Sequence, residues 1–131
     1  MDSFQHEKLD VYQKSIEFLA SAEEVARGLP KGRAYLADQL RRAALSITLN
    51  VAEGAGEFAA ADKARFYRMA GRSATESAAI LDSCRVLSLM QPHEISIGRA
   101  ALLRIVAMLT AMVLKLSGSD SGCGSGSFRD V

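Results

Sequence analysis

The sequence has no tryptophan, only two prolines and two cysteines, and aromatic residues make up 6% of it. With five Phe and three Tyr, the chain is short of the aromatic residues on which β-sandwiches lean. So few prolines leave long segments free to remain helical. Two cysteines make no disulfide framework: Cys84 falls in a helical repeat and Cys123 in a Gly/Ser tail, which predicts a reducing compartment and a cytoplasmic protein. No apolar leader opens the chain, because Met1 to Asp10 is polar and charged. Long hydrophobic runs are missing too. The most apolar stretch, Ile105 to Leu114, covers ten residues between Arg104 and Lys115. A membrane-spanning helix needs about 20, so this stretch is expected to be a core helix with no membrane partner.

What is present is aliphatic. At 131 residues and 49% hydrophobic, the chain has the length of one domain and enough Leu, Ile, Val, Met and Ala for one continuous core. Charge is unevenly placed. Residues 1–30 carry Lys8, Lys14 and Arg27 against Asp2, Glu7, Asp10, Glu17, Glu23 and Glu24, a net of −3. Residues 31–72 carry Lys31, Arg33, Arg41, Arg42, Lys63, Arg65, Arg68 and Arg72 against Asp38, Glu53, Glu57 and Asp62, a net of +4. An acidic first segment therefore precedes a basic middle. The asymmetry suits either a polyanionic partner or an internal complement.

Apolar residues recur at three-four spacing in four segments, which predicts four amphipathic helices. The first carries Leu9, Tyr12, Ile16, Leu19 and Ala26, with Asp10→Lys14 and Glu23→Arg27 as i,i+4 pairs. Gly28 to Gly32, with Pro30 inside, breaks it. The second, Arg33 to Glu53, carries Leu36, Leu40, Ala43, Ile47 and Val51 and ends at Gly54-Ala55-Gly56. The third, Asp62 to Leu89, carries Phe66, Ala70, Ser73, Ser77, Ile80, Cys84 and Leu87, with Asp62 as N-cap. Pro92 opens the fourth, which carries Leu102, Ile105, Leu109, Met112 and Leu116. Short connections force antiparallel neighbours. The expected fold is an all-α, antiparallel up-down-up-down four-helix bundle over residues 1–117. Residues 118–131 form a flexible Gly/Ser-rich tail, disordered by composition.

The second helix carries a polar stripe beside its apolar one: Gln39, Arg42, Ser46, Asn50 and Glu53. The third supplies small and polar residues, Ser73 and Ser77 among alanines, with Arg72 and Glu76 alongside. Gln39, Arg42, Ser46, Asn50, Glu53, Ser73 and Glu76 are read as a structural polar seam or a subunit interface, because polar groups between helices fix register when paired. No nucleophile, base and orienter come together among them, so no catalytic site is read. Arg65, Arg68 and Arg72 form an i, i+3, i+7 row on the third helix, and Arg41 and Arg42 lie on its antiparallel neighbour. Such a row can track a phosphate backbone; the competing reading is a solvated face or pairing with the acidic first helix. Phe66 is assigned to the core and Tyr67 to the outside, which leaves no aromatic interleaving for base stacking.

Other motifs fail on context. Gly54-Ala55-Gly56-Glu57-Phe58-Ala59 matches G-x-G-x-x-A, but a helix and not a strand precedes it, so it reads as a helix end and turn. His6-Glu7 and His93-Glu94 lie at opposite ends of an up-down-up-down bundle and cannot share an ion within one protomer. Neither cofactor nor metal is expected.

The run LADQLRRAALSITLNVAEGAGEF, followed by RFYRMAGRSATES, is similar to the signature of the 23S rRNA intervening-sequence proteins. The matching residues are Leu36, Gln39, Leu40, Arg41, Arg42, Ala43, Ser46, Ile47, Asn50, Ala52, Glu53, Gly54, Phe66, Ala70, Ser73 and Glu76, with Phe4, Leu9, Val11, Tyr12, Gln13 and Lys14 resembling the family's first helix. The resemblance implies a four-helix bundle assembled as a ring-like bacterial homopentamer, with no established catalytic activity. It extends to accessory proteins of diversity-generating retroelements, which bind a reverse transcriptase and nucleic acid. Two departures weaken a nucleic-acid footprint at one corner. Glu57 stands where the family has a basic residue, and Ala59-Ala60-Ala61 where it favours serine. The function expected is a non-enzymatic homo-oligomeric scaffold that binds RNA or a nucleoprotein through the basic helix-two and helix-three surface. The alternative is a protein–protein adaptor with no nucleic-acid role.

Overall fold

Four helices carry almost the whole chain in the computed structural model, which describes the backbone of residues 2–121 and side chains as far as Gly118. They are α1 (Asp10–Gly28), α2 (Ala34–Gly56), α3 (Ala60–Val86) and α4 (Pro92–Ser121), with single 3-10 turns at Gln5–Lys8 and Lys31–Arg33. No strand occurs among the described residues. The helix of α4 continues past Ser117, where the tail was expected to begin; the rest of that expected tail, residues 122–131, lies outside the described residues.

Sequence neighbours pack antiparallel. Ser15 and Glu23 of α1 meet Thr48 and Arg41 of α2, and Ser46 and Gly54 of α2 meet Ser73 and Tyr67 of α3. Farther on, Leu81 and Asp82 of α3 meet Gly98 and Arg99 of α4. α4 returns against α1 and closes the square. Among the described residues α1 does not approach α3, nor α2 approach α4. Those two pairs are the diagonals of the bundle.

The interior is filled as the periodicity of α2 and α4 requires. Leu36, Leu40, Ala43, Ile47 and Val51 are all buried, as are Leu102, Ile105 and Leu109. Each large aliphatic side chain so buried contributes about 1.5–3 kcal/mol. Cys84 sits among them, and burial pushes its thiol pKa up, so it packs as a small hydrophobe.

In α1 the buried stripe is Val11, Ser15, Phe18, Ala22 and Ala26, and Ile16 is exposed. The expected stripe of Leu9, Tyr12, Ile16 and Leu19 lay a step round the helix, and Ser15 holds a core position instead. Its hydroxyl donates to the Tyr12 carbonyl at 2.7 Å and accepts from Thr48 Oγ1 at 3.2 Å, which satisfies it in the core. Of the two expected i,i+4 pairs, Glu23–Arg27 forms at 3.5 Å, while Lys14 turns to Glu17 instead.

In α3 the roles of two aromatics are exchanged. Tyr67 is buried and Phe66 only partly covered. The cause lies in α2: a Cβ on Gly54 would come within 2.6 Å of Tyr67 Cε1, so the bare glycine is what admits the tyrosine ring. The N-cap of α3 is Ala59 with no side-chain bond, and Asp62 lies inside the first turn. There it still complements the helix dipole. α3 ends with Ser88 at φ 59 and the Leu89 N–H donating to the Cys84 carbonyl at 2.8 Å. That left-handed closure satisfies carbonyls that the last turn would leave open.

α4 carries apolar residues on every side, with Arg99, Arg104 and Lys115 among them. From Pro92 to Gly118 it runs 27 residues, long and apolar enough by length and composition to cross a membrane, yet 17% of its most apolar window is buried in the protomer. Counting only the residues between Arg104 and Lys115 underestimated it. One stripe fills the core; the opposite stripe is bare.

Candidate nucleic-acid interface

The α2–α3 seam forms around one hydroxyl. Ser46 Oγ accepts from Ser73 Oγ at 2.9 Å and from Asn50 Nδ2 at 3.0 Å, and Asn50 Nδ2 also donates to the Ser46 carbonyl at 2.9 Å. These are the three seam residues that bond to one another. Gln39, Arg42, Glu53 and Glu76 are exposed and flank them. Replacing Ser46 with alanine removes the acceptor shared by both helices. The expected loss is about 0.5–1.5 kcal/mol, read by chemical denaturation.

The corner after α2 is closed by a cation from the next helix. Lys63 Nζ donates to the carbonyls of Ala55 at 3.0 Å and Gly54 at 3.3 Å. An ammonium at a helix C-terminus satisfies orphan carbonyls and opposes the negative end of the dipole. The positive charge that Glu57 fails to supply at this corner is thus present, committed to the backbone.

The five arginines divide by what they touch. Arg41 bonds Glu23 of α1 at 2.9 Å and lies 3.7 Å from Asp38. The hydrogen bond from Arg41 holds the Glu23 carboxyl below its ordinary pKa, and Glu23 raises that of Arg41 in turn. Arg41 therefore belongs to the α1–α2 seam. Arg42 is exposed and shares an open groove with Leu45, Ser46, Leu49, Asn50, Glu53 and Phe66. Arg65 lies over the Phe66 ring at 4.8 Å, a cation–π geometry. Arg68 and Arg72 edge a second groove of about 510 Å³, whose far wall is Val106, Leu109, Thr110, Val113 and Leu114 of α4. No carboxylate lines that groove, and Arg42, Arg65, Arg68 and Arg72 form no ion pair among the described residues.

Phe66 was the residue that sequence reasoning missed. Placed at the surface between Arg65 and the groove of Arg42, it gives the basic face a ring. The clue was Gly54, whose missing side chain makes room for one aromatic and thereby turns its neighbour outward. Among the described residues no group of three or more His, Cys, Asp or Glu side chains is close enough to hold a metal ion.

The model of the family described as 23S rRNA-intervening sequence protein matches residues 7–111, from the 3-10 turn into the second half of α4. The chain belongs to that family. No curated protein matches it. The match to the 23S rRNA-intervening sequence proteins covers the seam, the Gly54 corner and all five arginines; of the Arg68–Arg72 groove only Val113 and Leu114 lie beyond it.

Proposed function

We propose that this 23S rRNA-intervening sequence protein is a non-enzymatic, self-associating helical scaffold that binds RNA through the outward face of α3. The observation that carries the reading is the row Arg65, Arg68 and Arg72, exposed and without a carboxylate partner. Three charges over seven residues of helix span about 10 Å, long enough to meet successive phosphates. Phe66 beside them offers a face on which an unpaired base stacks, and Arg42 extends the charge across the seam.

The test is an electrophoretic shift of structured RNA at rising salt, with the wild-type chain and the triple variant Arg65→Ala, Arg68→Ala, Arg72→Ala. Taking one cation away from a phosphate flattens the log-affinity against log-salt slope by about 0.7–0.9, so the triple variant is expected to bind with a slope shallower by about two units. Absence of binding by the wild type at low salt would remove the RNA reading. These arginines lie outside the core, so circular dichroism should be unchanged.

Self-association is supported by the bare apolar stripe of α4, since a helix apolar all round is ordinarily enclosed. Five copies is the number that the family resemblance implies, and each copy would repeat the same basic face and gain by avidity. A cytoplasmic location follows from an RNA partner. The adaptor reading is favoured by one observation, the apolar far wall of the Arg68–Arg72 groove. It predicts capture of an apolar face of a partner protein, which persists at high salt and in the triple variant.

A further inference from the structure

Glycine inside a helix costs stability, and two of the helical glycines are explained by what they touch. Gly54 admits the ring of Tyr67, and a Cβ on Gly98 would come within 2.7 Å of Leu81 Cδ1. Gly71, in the middle of α3, is different: a Cβ there would meet nothing within 4 Å, and its φ is not left-handed. Neither packing nor backbone asks for glycine at this position. What the missing side chain leaves is open floor. It lies in the α3–α4 groove of about 510 Å³, with Arg68 and Arg72 on one rim and the α4 wall on the other. Following the seam from Asp82 to Arg99, Gly71 is level with Thr110 and Tyr67 with Leu114.

The polar groups around this floor lack partners. Arg68 and Arg72 are exposed, form no ion pair among the described residues, and edge a groove that no carboxylate lines. Tyr67 is 4% exposed, its hydroxyl bonds to nothing among the described residues, and the opening it borders is this groove. Burial pushes the phenol pKa up, so the hydroxyl stays a donor at neutral pH. We infer that the groove binds a single-chain aliphatic carboxylate, its head held by Arg68, Arg72 and the Tyr67 hydroxyl and its chain laid over Gly71 against Val106, Leu109 and Val113. Two guanidinium groups one helical turn apart are close enough to share one carboxylate. The volume is that of an ordinary small-molecule site. From Val106 to Leu114 the wall runs about 12 Å. That is about the length of a ten-carbon chain in extended zigzag, with bonds of about 1.5 Å. A nucleobase fits less well, because its donors and acceptors would face Val106, Leu109 and Val113 unpaired. Such binding needs Arg68 and Arg72 but not Arg65, so it stands apart from the RNA reading.

The test is isothermal titration of the full chain with decanoate, kept below the concentration at which it forms micelles. Saturable binding of one decanoate per chain is expected. Decanol has the chain without the charge and is expected to bind at least tenfold more weakly. Acetate has the charge without the chain and is expected not to bind measurably. Arg68→Gln and Arg72→Gln should each weaken decanoate about tenfold, the size of one charge-assisted hydrogen bond. Tyr67→Phe keeps the ring and should weaken decanoate severalfold while leaving decanol unchanged. Gly71→Leu fills the floor without a clash and should abolish binding of both. Should that variant lose helical signal, Thr110→Glu decides, since it sets a carboxylate at an exposed position across the groove and should repel decanoate. Arg85→Gln, exposed on the same helix outside the groove, should change nothing. A wild-type chain that takes up no decanoate would overturn the inference. So would decanol bound as tightly as decanoate, or undiminished binding in a helical Gly71→Leu or, failing that, in Thr110→Glu. Binding to phospholipid vesicles without uptake of free decanoate would give the groove to a membrane surface and overturn it as well. A Gly71→Leu chain that falls in native mass, while the wild type ignores decanoate, would overturn it in favour of another protein chain on the same floor.

Discussion

Truncating Ile105 to alanine is expected to lower the unfolding free energy by about 2–5 kcal/mol. Ile105 is fully buried, in the cluster that also holds Leu40, Ile47, Val51 and Leu102. The removed methyl and methylene groups lose their transfer energy, and the hollow they leave is lined by helices that their neighbours hold apart. The measurement is urea denaturation at fixed protein concentration, because any assembly ties apparent stability to concentration. Leu103→Ala is the matched control on the same helix. At 64% exposure it is expected to cost well under 1 kcal/mol in a monomeric background. Equal losses at the two positions would mean that the inward stripe of α4 is not the one described.

The second large effect lies at the α2–α3 corner. Gly54→Ala would set a methyl carbon 2.6 and 2.8 Å from two ring carbons of Tyr67 and 3.1 Å from Phe66 Cβ. Overpacking of this kind costs about 1–3 kcal/mol, opposed by the roughly 1 kcal/mol that alanine gains over glycine inside a helix. Gly54→Val adds a branch to the same clash without alanine's helix preference, and its loss is expected to exceed that of Gly54→Ala. The mechanism is separable by a double-mutant cycle. In a Tyr67→Leu background the ring edge is gone, and Gly54→Ala should become neutral or stabilising. The same penalty in both backgrounds would mean that the ring is not the obstacle.

These two sites also mark where the fold was legible in the sequence and where it was not. The stripe of α2 could be read directly, because Leu36, Leu40, Ala43, Ile47 and Val51 recur at helical spacing and all face inward. α1 misled by one step, since Ser15 and Ala22 hold its core positions while Ile16 and Leu19 lie beside them; nothing in a hydropathy pattern marks a serine that will be satisfied by Thr48. α3 misled for a different reason. Phe66 and Tyr67 are adjacent and both able to fill a core, and the choice between them was made by a glycine on another helix. α4 gave its inward stripe through the spacing of Leu102, Ile105 and Leu109, but not how much apolar surface its other side leaves bare. The candidate site was legible as a set of residues and not as a surface. Spacing gave the row Arg65, Arg68 and Arg72, but only the pairing of α1 with α2 removes Arg41 to Glu23, and only the packing of Tyr67 brings Phe66 to Arg65.

The diagonal placement of α1 opposite α3 bears on how any larger assembly would present itself. If successive copies meet through the other diagonal, every α3 is turned to one side of the assembly and every α1 to the other. One wall would then carry the unpaired guanidinium groups of Arg65, Arg68 and Arg72, and the opposite wall Asp10 together with the ion pairs Lys14–Glu17 and Arg27–Glu24. In such an assembly the two sides would differ in free charge, and a polyanion would meet unpaired cations on one of them only.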